Sequence, residues 1–349
     1  MRVPCAFRAL AVAALALLLA ACGSSRTPAP PTEPPGSSGT GVGSTVVPGG
    51  QGRLPIVNTI VTNLGPLLPT ALEGVSAAAL NGKIYLFGGS GPAGFSDAIY
   101  AFTPGQGTKP ATLTRVGALP RVMDDAAAAT GKSGIHVCGG GQAVGSSGIY
   151  LWNGTTLQLA AQLPAPFSDM AGVTVNGRPY CLGGWNGTTS SAAIYAVSGA
   201  APKVVAHLAT PVRYGAAAAI PGGIVVAGGQ LANGARTSSI QWIPMGGAAG
   251  RPVPIAALPY LVDQAMAAAV GPTALVAGGC QAGGQARRAI WTVDATGGMQ
   301  QVGEFPAGLC AGGAALLNGV VYVFGGRNST GTAQTDVYSI KPLFGFPGA

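Results

Sequence analysis

Short apolar runs separated by glycine-rich turns dominate residues 54–345. Six of the runs end in a Gly-Gly doublet, and the doublets begin at Gly88, Gly139, Gly183, Gly228, Gly278 and Gly325. The runs, such as residues 83–87 and 320–324, are continuously apolar rather than alternating, which is typical of strands that are covered on both faces. Because successive doublets are 51, 44, 45, 50 and 47 residues apart, the pattern indicates six copies of one structural unit, here called units one to six.

Each unit has the pattern of four antiparallel strands. A run of small residues, such as residues 126–129, precedes the run that ends in the doublet, and a tight turn such as Asn81-Gly82 joins the two. Asn-Gly readily adopts the positive φ angles of a hairpin turn. A third run carries an aromatic residue, as in Ile99-Tyr100, and a fourth ends in a proline such as Pro120, which predicts the end of the outermost strand. The units are therefore predicted to be the blades of an all-β, six-bladed β-propeller.

This order of motifs resembles the kelch repeat. A small-residue strand, a strand ending in Gly-Gly, a strand with a [VI]-Y or [VI]-x-W signature and a strand closing with proline recur over residues 54–345. The resemblance, which extends to the propeller at the centre of galactose oxidase, implies the fold. Kelch propellers include sugar-binding, scaffold and enzymatic members, so the family alone does not assign a function. Copper radical oxidases of this repeat need histidine and tyrosine ligands; with two histidines in the chain, we expect no such chemistry, no metal and no cofactor.

The ends of the repeat region predict how the ring closes. Unit six stops at Lys341-Pro342, shortly after its third strand, and therefore lacks a fourth strand. An extra apolar segment, residues 59–67, stands ahead of Pro69 and the first unit. We predict that this N-terminal strand pairs with the last blade and closes the ring, which removes the exposed sheet edges. Residues 54–349 would then form one domain.

The N-terminal residues have the pattern of a bacterial lipoprotein signal. Arg2 and Arg8 precede an apolar stretch that ends in Leu19-Ala20-Ala21-Cys22. This resembles a lipobox and implies a signal peptide over residues 1–21, cleavage before Cys22, and a membrane anchor through lipid, including palmitate, on Cys22. A signal peptide that contains a thiol by chance is the alternative, and the stretch is short for a transmembrane anchor.

Residues 22–53 are rich in Gly, Ser, Pro and Thr and are predicted to be a disordered linker. The protein is thus expected to be exported and held at the cell envelope.

The amino-acid composition limits the classes of partner that the protein is expected to bind. Charged residues are 8% of the chain and the formal net charge is +8, falling to +6 once Arg2 and Arg8 leave with the signal peptide. Without a clustered basic stripe, this charge gives no indication of nucleic-acid binding. We expect a monomer whose partner is an envelope protein or a glycan.

Four cysteines remain in the exported domain, and an even number there makes disulfides plausible. Cys138 and Cys181 precede the doublets of neighbouring units by one and two residues, so their side chains leave opposite faces of their sheets and meet in the gap between. Cys280 follows one doublet and Cys310 begins the first strand of the next unit, at the same end of the ring. These positions favour the pairs Cys138–Cys181 and Cys280–Cys310; four buried thiols are the alternative.

Five of the ten acidic residues fall at two positions of the repeat, 15 and 14 residues before a doublet: Glu73, Asp124, Asp125, Asp169 and Asp263. Arg213 and Tyr214 hold the same positions in unit four. Antiparallel connectivity brings these positions and the residues after each doublet to one mouth of the central channel; the latter include Trp185, Gln230, Gln281 and Arg327. The opposite end consists mostly of tight turns and looks chemically poor.

A mouth lined by carboxylates, amides, arginines and aromatic rings is typical of sites for polyhydroxylated ligands. We therefore interpret the chain as a binding module for a polar ligand or a protein partner. One alternative is a carbohydrate-active enzyme such as a mutarotase or epimerase, with a pair of these carboxylates as acid and base and Arg213 on a substrate carboxylate. The other is a structural scaffold whose polar groups only cap loop amides or meet channel water.

Overall fold

The computed structural model describes residues 54–141, 145–245 and 250–346. The predicted signal peptide, Cys22 and the linker lie outside the described residues. Within them the chain is all-β apart from one 3₁₀ turn, Ala282–Gly284. No described helix has the length and apolar character that a membrane crossing requires.

The strands follow the repeat. Those up to the end of unit three are β1 (Ile56–Pro66), β2 (Ser76–Leu80), β3 (Lys83–Phe87), β4 (Ser90–Gly91), β5 (Gly94–Phe95), β6 (Ala98–Thr103), β7 (Thr112–Ala118), β8 (Ala127–Gly131), β9 (Gly134–Cys138), β10 (Ser146–Trp152), β11 (Leu157–Val175), β12 (Arg178–Trp185), β13 (Ala193–Ala196) and β14 (Lys203–His207). The remainder are β15 (Ala216–Ile220), β16 (Gly223–Ala227), β17 (Thr237–Pro244), β18 (Val253–Val262), β19 (Met266–Val270), β20 (Thr273–Ala277), β21 (Ala289–Val293), β22 (Met299–Glu304), β23 (Leu309–Cys310), β24 (Gly313–Leu317), β25 (Val320–Phe324), β26 (Arg327–Asn328) and β27 (Asp336–Phe344).

Antiparallel pairing between consecutive strands builds the sheets. Units one, four and five each form a four-stranded sheet, in the orders β2-β3-β6-β7, β15-β16-β17-β18 and β19-β20-β21-β22. The strands of units two and three are joined into one seven-stranded sheet because β11 runs on from the outer strand of unit two to the first strand of unit three. The antiparallel, almost helix-free architecture is that of a propeller-type fold.

Two prolines do not end their strands as the sequence suggested. Pro164 lies inside β11 and Pro259 inside β18. Each lies where the ladder to the neighbouring strand is interrupted: pairing of β11 with β10 stops at Gln162 and resumes at Phe167. Proline has no N–H to donate, so it occupies the unpaired stretch while the backbone remains extended.

The N-terminal strand completes the sheet of unit six. β1 pairs antiparallel with β27 from Ile56, opposite Phe344, to Pro66, opposite Asp336, in the sheet order β1-β27-β25-β24. This is the pairing that the sequence predicts for that segment. The Thr59 hydroxyl also donates a hydrogen bond of 2.9 Å to the backbone oxygen of Val302, which links β1 to unit five.

Six backbone hydrogen bonds connect the units just ahead of their first strands. One residue from each unit donates its N–H to the carbonyl oxygen of the corresponding residue in the preceding unit, and the series returns to its start. The members of this inner ring, all with φ between 49° and 63°, are Gly74, Asp125, Asp169, Tyr214, Gln264 and Ala311. The left-handed conformation costs a residue with a Cβ about 1–2 kcal/mol, so five of the six positions are strained and the ring hydrogen bonds offset that cost.

Beyond the inner ring, the first strands surround a cavity of about 310 Å³. Three consecutive residues of each strand line it, most of them alanines, such as residues 217–219 and 267–269. Small side chains are needed because the strands approach one another closely here. One close approach is at Gly172, where a Cβ would stand 2.4 Å from the backbone oxygen of Ala128.

Two disulfides join neighbouring units. Cys138 is bonded to Cys181 and Cys280 to Cys310, the pairing that the repeat positions favour. The bonded residues are 43 and 30 positions apart. Closing loops of this length restricts the unfolded chain, so each disulfide stabilises the native state.

Loss of one disulfide should lower stability without abolishing the fold. We expect the double variant Cys138→Ala/Cys181→Ala to lose about 2–4 kcal/mol of unfolding free energy, measured by urea denaturation. The control is the wild-type protein under reducing conditions, which should show a comparable or larger loss. An unchanged denaturation midpoint in the double variant would contradict a bridging role for this pair.

Candidate functional site

One end of the repeat assembly is built from a regular pairing of polar positions. Two positions of each unit meet here: the residue 15 positions before the doublet, and the residue two positions after the doublet's first glycine. The two residues pair through an antiparallel β-bridge or a backbone hydrogen bond. The pairs are Glu73 with Ser90, Asp124 with Gly141, Ser168 with Trp185, Arg213 with Gln230, Asp263 with Cys280 and Cys310 with Arg327. These pairs and the inner ring together are here called the polar face.

Arg213 is held between two aromatic rings of the polar face. Its guanidinium carbon lies 4.8 Å from the ring centroid of Trp185 and 5.2 Å from that of Tyr214. Its Nε and Nη2 donate to Oε1 of Gln230 at 2.8 and 2.6 Å, and its Nη1 lies 3.4 Å from Oδ2 of Asp169. Cation–π contacts, hydrogen bonds to the neutral amide of Gln230 and the negative charge of Asp169 together make this arginine a rigid positive group.

Asp263 is the most deeply buried acid of the face, with 2% of its surface exposed. Its Oδ2 accepts a hydrogen bond of 3.0 Å from Nε2 of Gln230 and lies 3.0 Å from Nε of Arg236. Its Oδ1 is buried and has no hydrogen-bond partner among the described residues. Burial raises the pKa of this carboxyl, while Arg236 opposes the rise.

The sequence analysis did not identify Arg236. It stands eight residues after Gly228, in the loop that returns from the polar face, and pairs with Gln230 across a β-bridge. The corresponding residue is serine in units one to three and alanine in units five and six. An alignment of the repeats extended a few residues further would have singled out this arginine as the one charge at its position.

A second arginine organises the opposite side of the face. Arg327 Nη1 lies 3.2 Å from Oε2 of Glu73, and its Nη2 donates to Oε1 of Gln264 at 3.2 Å. Nε of Arg327 is buried without a hydrogen-bond partner among the described residues. Since Gln264 belongs to the inner ring, this contact connects the outer pairs with the ring.

Burial raises the pKa of the three acids of units two and three. Burial raises the pKa of Asp124 to about 6, with smaller contributions from the nearby charges of Asp169 and Glu73, and the Ser90 side chain donates a hydrogen bond that opposes the rise. Burial, followed by the charge of Asp124, raises the pKa of Asp125 well above its ordinary value. Burial also raises the pKa of Asp169, and Ser168 and Arg213 oppose it. The face therefore has carboxyl groups that retain protons towards neutral pH.

At the centre of the face the inner ring surrounds a cavity of about 120 Å³. Asp125, Asp169, Tyr214 and Gln264 are its polar lining residues. Gln281 directly precedes the 3₁₀ turn, and among the described residues its side chain makes no hydrogen bond with another predicted site residue. No group of three or more His, Cys, Asp and Glu in the described ranges has a geometry that could hold a metal ion.

Comparison with known proteins bears on the fold alone. No protein-family model matches the sequence, and no curated protein matches it. The solved structure of YjhT, a kelch-type propeller protein, is similar with a TM-score of 0.69 and 17% sequence identity, over 78% of this chain and 96% of that chain. At this identity the likeness shows a propeller-type fold and carries no function across.

The raised pKa of Asp124 predicts a pH-dependent effect of its replacement. The folded protein holds this proton up to about pH 6, whereas the unfolded chain loses it near pH 4. The carboxyl's contribution to stability is therefore complete below pH 4 and is lost as the pH rises through 6. We expect Asp124→Asn to raise the unfolding free energy relative to wild type at pH 7 and to leave it unchanged at pH 3.5.

Urea denaturation at the two pH values measures the difference. Asp97→Asn, which removes an exposed acid ion-paired with Arg115, controls for the loss of one negative charge. An Asp124→Asn effect of the same size at both pH values would show that the side chain does not act through its proton.

Proposed function

We propose that this protein is a closed, six-bladed kelch-type propeller, anchored at the cell envelope through lipid on Cys22, whose polar face binds a hydroxyl-rich ligand such as a glycan. Six repeats, the pairing of β1 with β27 and the inner ring of hydrogen bonds support the closed six-bladed arrangement. The lipobox ahead of a polar linker supports the anchor.

The observation that carries the binding role is the arrangement around Arg213. A guanidinium between Trp185 and Tyr214 presents fixed donors and aromatic surface side by side. Sugars are bound by this combination, because their hydroxyls pair with charged and amide groups while their C–H faces cover aromatic rings. The central cavity of about 120 Å³ has room for one hydroxyl-bearing substituent, while the rest of the ligand lies across the outer pairs.

A purely structural role explains fewer of the side-chain contacts of the polar face than a binding role does. Loop capping requires single hydrogen bonds to backbone amides, yet Arg213, Gln230, Asp263 and Arg236 form a continuous side-chain network. Buried ionic groups of this kind cost free energy compared with apolar residues of the same size. Their retention at one end of the repeat favours a site that meets a polar partner, and an envelope protein is the second class of partner for the same surface.

A carbohydrate-active enzyme is the second candidate function. Asp124, with a pKa of about 6, has the proton affinity that a general acid needs near neutral pH. The neighbouring Asp169 is held by Arg213, so the two carboxyls have different surroundings, as an acid and a base would. Ring opening and closure of a sugar, as in mutarotation, needs such a pair.

Arg213 provides the test of the binding role. We expect the exported chain to bind components of a glycan array, and Arg213→Gln to weaken the binding at least about tenfold, because charged hydrogen bonds and ring contacts are lost together. Arg115→Gln, at an exposed ion pair with Asp97, is the matched control and should bind like wild type.

The same variants separate the candidate functions. Binding that persists in Asp124→Asn while mutarotation of the bound sugar stops would favour the enzyme. Binding without turnover in wild type favours the binding module. Absence of binding to any glycan, with envelope proteins captured through the Arg213 surface, would assign the face to a protein partner and sink the glycan proposal.

The lipid anchor has an independent test. In a bacterial host, the wild-type chain should incorporate labelled palmitate and sediment with membranes, since acyl chains on the N-terminal cysteine supply the apolar area for anchoring. Cys22→Ser should lose both properties, whereas Cys5→Ser should keep them. Membrane association that survives in Cys22→Ser would exclude lipid on this residue as the anchor.

A further inference from the structure

A third cavity lies at the end of the repeat opposite the polar face. It has a volume of about 640 Å³ and lies between units two and three, where the turn before β9, the turn before β12 and the loop after β13 meet. Its size is within the range of small-molecule sites, about 300–1,000 Å³. We call it the turn-side groove.

The groove is positively charged and partly apolar. Lys132 and Arg178 line it, both exposed, and no acidic residue does so. Neither cation has an ion pair within the described residues. Leu151 and Leu159 supply apolar surface, and Leu159 is 55% exposed. A ligand with an anionic end and an apolar body would match both parts.

His136 lies at the inner wall of the groove. It is 94% buried, since 6% of its surface is exposed, and its Nδ1 is buried with no hydrogen-bond partner among the described residues. Burial lowers the pKa of the imidazole, and a hydrogen bond with the Gly134 backbone opposes this shift. A methyl group on Gly131 would stand 3.2 Å from Cε1 of His136 and 3.1 Å from Pro179, so the histidine is at the junction of the two units.

The repeat offers an internal comparison for this histidine. The residue three positions before the doublet is Tyr85, Tyr180, Val225, Leu275 or Tyr322 in the other units. These side chains pack into the cores between sheets. A buried histidine with an unpaired nitrogen is less favourable there than any of them, because the hydrogen bond that the nitrogen made with water in the unfolded chain is not replaced. A bound ligand would supply the missing partner.

We propose that the turn-side groove binds a small phosphate monoester, with its charged oxygens on Lys132 and Arg178, a protonated oxygen donating to Nδ1 of His136, and an apolar body on Leu151 and Leu159. A phosphate monoester has a second pKa of about 6, so at about that pH half of its molecules carry both the negative charge and the hydroxyl that the groove requires. A carboxylate at that pH has no proton to donate to a neutral imidazole.

The two histidines of the chain make the test direct. We expect 1-naphthyl phosphate, added to the full chain with ¹³C-labelled histidine, to shift the ring signals of His136 in NMR spectra and to leave those of His207, exposed at the end of β14, in place. His207→Gln assigns the two sets of signals. The neutral probe 1-naphthol and the carboxylate 1-naphthoate should bind at least about tenfold more weakly, since each lacks one of the required contacts.

Matched variants locate the binding. Lys132→Gln/Arg178→Gln should weaken binding of 1-naphthyl phosphate at least about tenfold. Lys83→Gln changes the residue of unit one that corresponds to Arg178 and should leave binding unchanged. Both altered groove residues are exposed, and a thermal melt of the variant confirms its fold.

Several results would overturn the proposal. These are no binding of 1-naphthyl phosphate, binding that leaves the His136 signals in place, equal binding of 1-naphthoate, or an equal loss in Lys83→Gln. Binding to vesicles that contain phosphatidate, without binding of the soluble ester, would assign the groove to a lipid headgroup and reject the soluble ligand.

Discussion

The inner ring of six backbone hydrogen bonds is the constraint on which the rest of the structure depends. Each bond joins residues of neighbouring units that are more than 40 positions apart, such as Asp169 to Asp125. Holding one residue per unit this close to the axis brings the following strands together, so most of the side chains between them are alanines, and a Cβ at Gly172 would meet the backbone of Ala128. The left-handed backbone at the ring is the cost of this geometry, which is why glycine or aspartate occupies three of the six positions.

The ring also determines the chemistry of the polar face. Its side chains lie where the first strands begin, so carboxyls at the ring and next to it are brought together and partly removed from water. Burial then raises the pKa values of Asp124, Asp125 and Asp169, and the negative charges of neighbouring acids add to the rise at Asp124 and Asp125. Arginines offset this cost on two sides of the face, through Arg213 with Asp169 and Arg327 with Glu73. The hydrogen-bond donors of the face are thus held in place by contacts within the protein.

The end of the repeat opposite the polar face has more side-chain chemistry than its tight turns suggest. Tight turns such as Asn318-Gly319 leave little side-chain chemistry, and the sequence pattern predicts a poor surface there. Between units two and three, however, the turns and the loop after β13 leave the turn-side groove, and His136 replaces the tyrosine or aliphatic residue of the other units. Departures from the repeat therefore point to local function better than the repeat itself, since the common positions already have a structural explanation.

The sequence predicted most of the strands, their order, the added strand β1 and the end of the assembly where the acids collect, and it favoured the two cysteine pairs over free thiols. These features follow from local turn chemistry and from the fixed length of the repeat. Aligning the six units of this one sequence is therefore enough to predict them. The tertiary structure decided which charges meet: Glu73 and Arg327 are 254 residues apart, and no spacing rule selects that pair over another. It also decided that β11 and β18 continue past their prolines, that Arg236 joins the network and that the turn-side groove exists, because each depends on how neighbouring units pack rather than on the pattern within one unit.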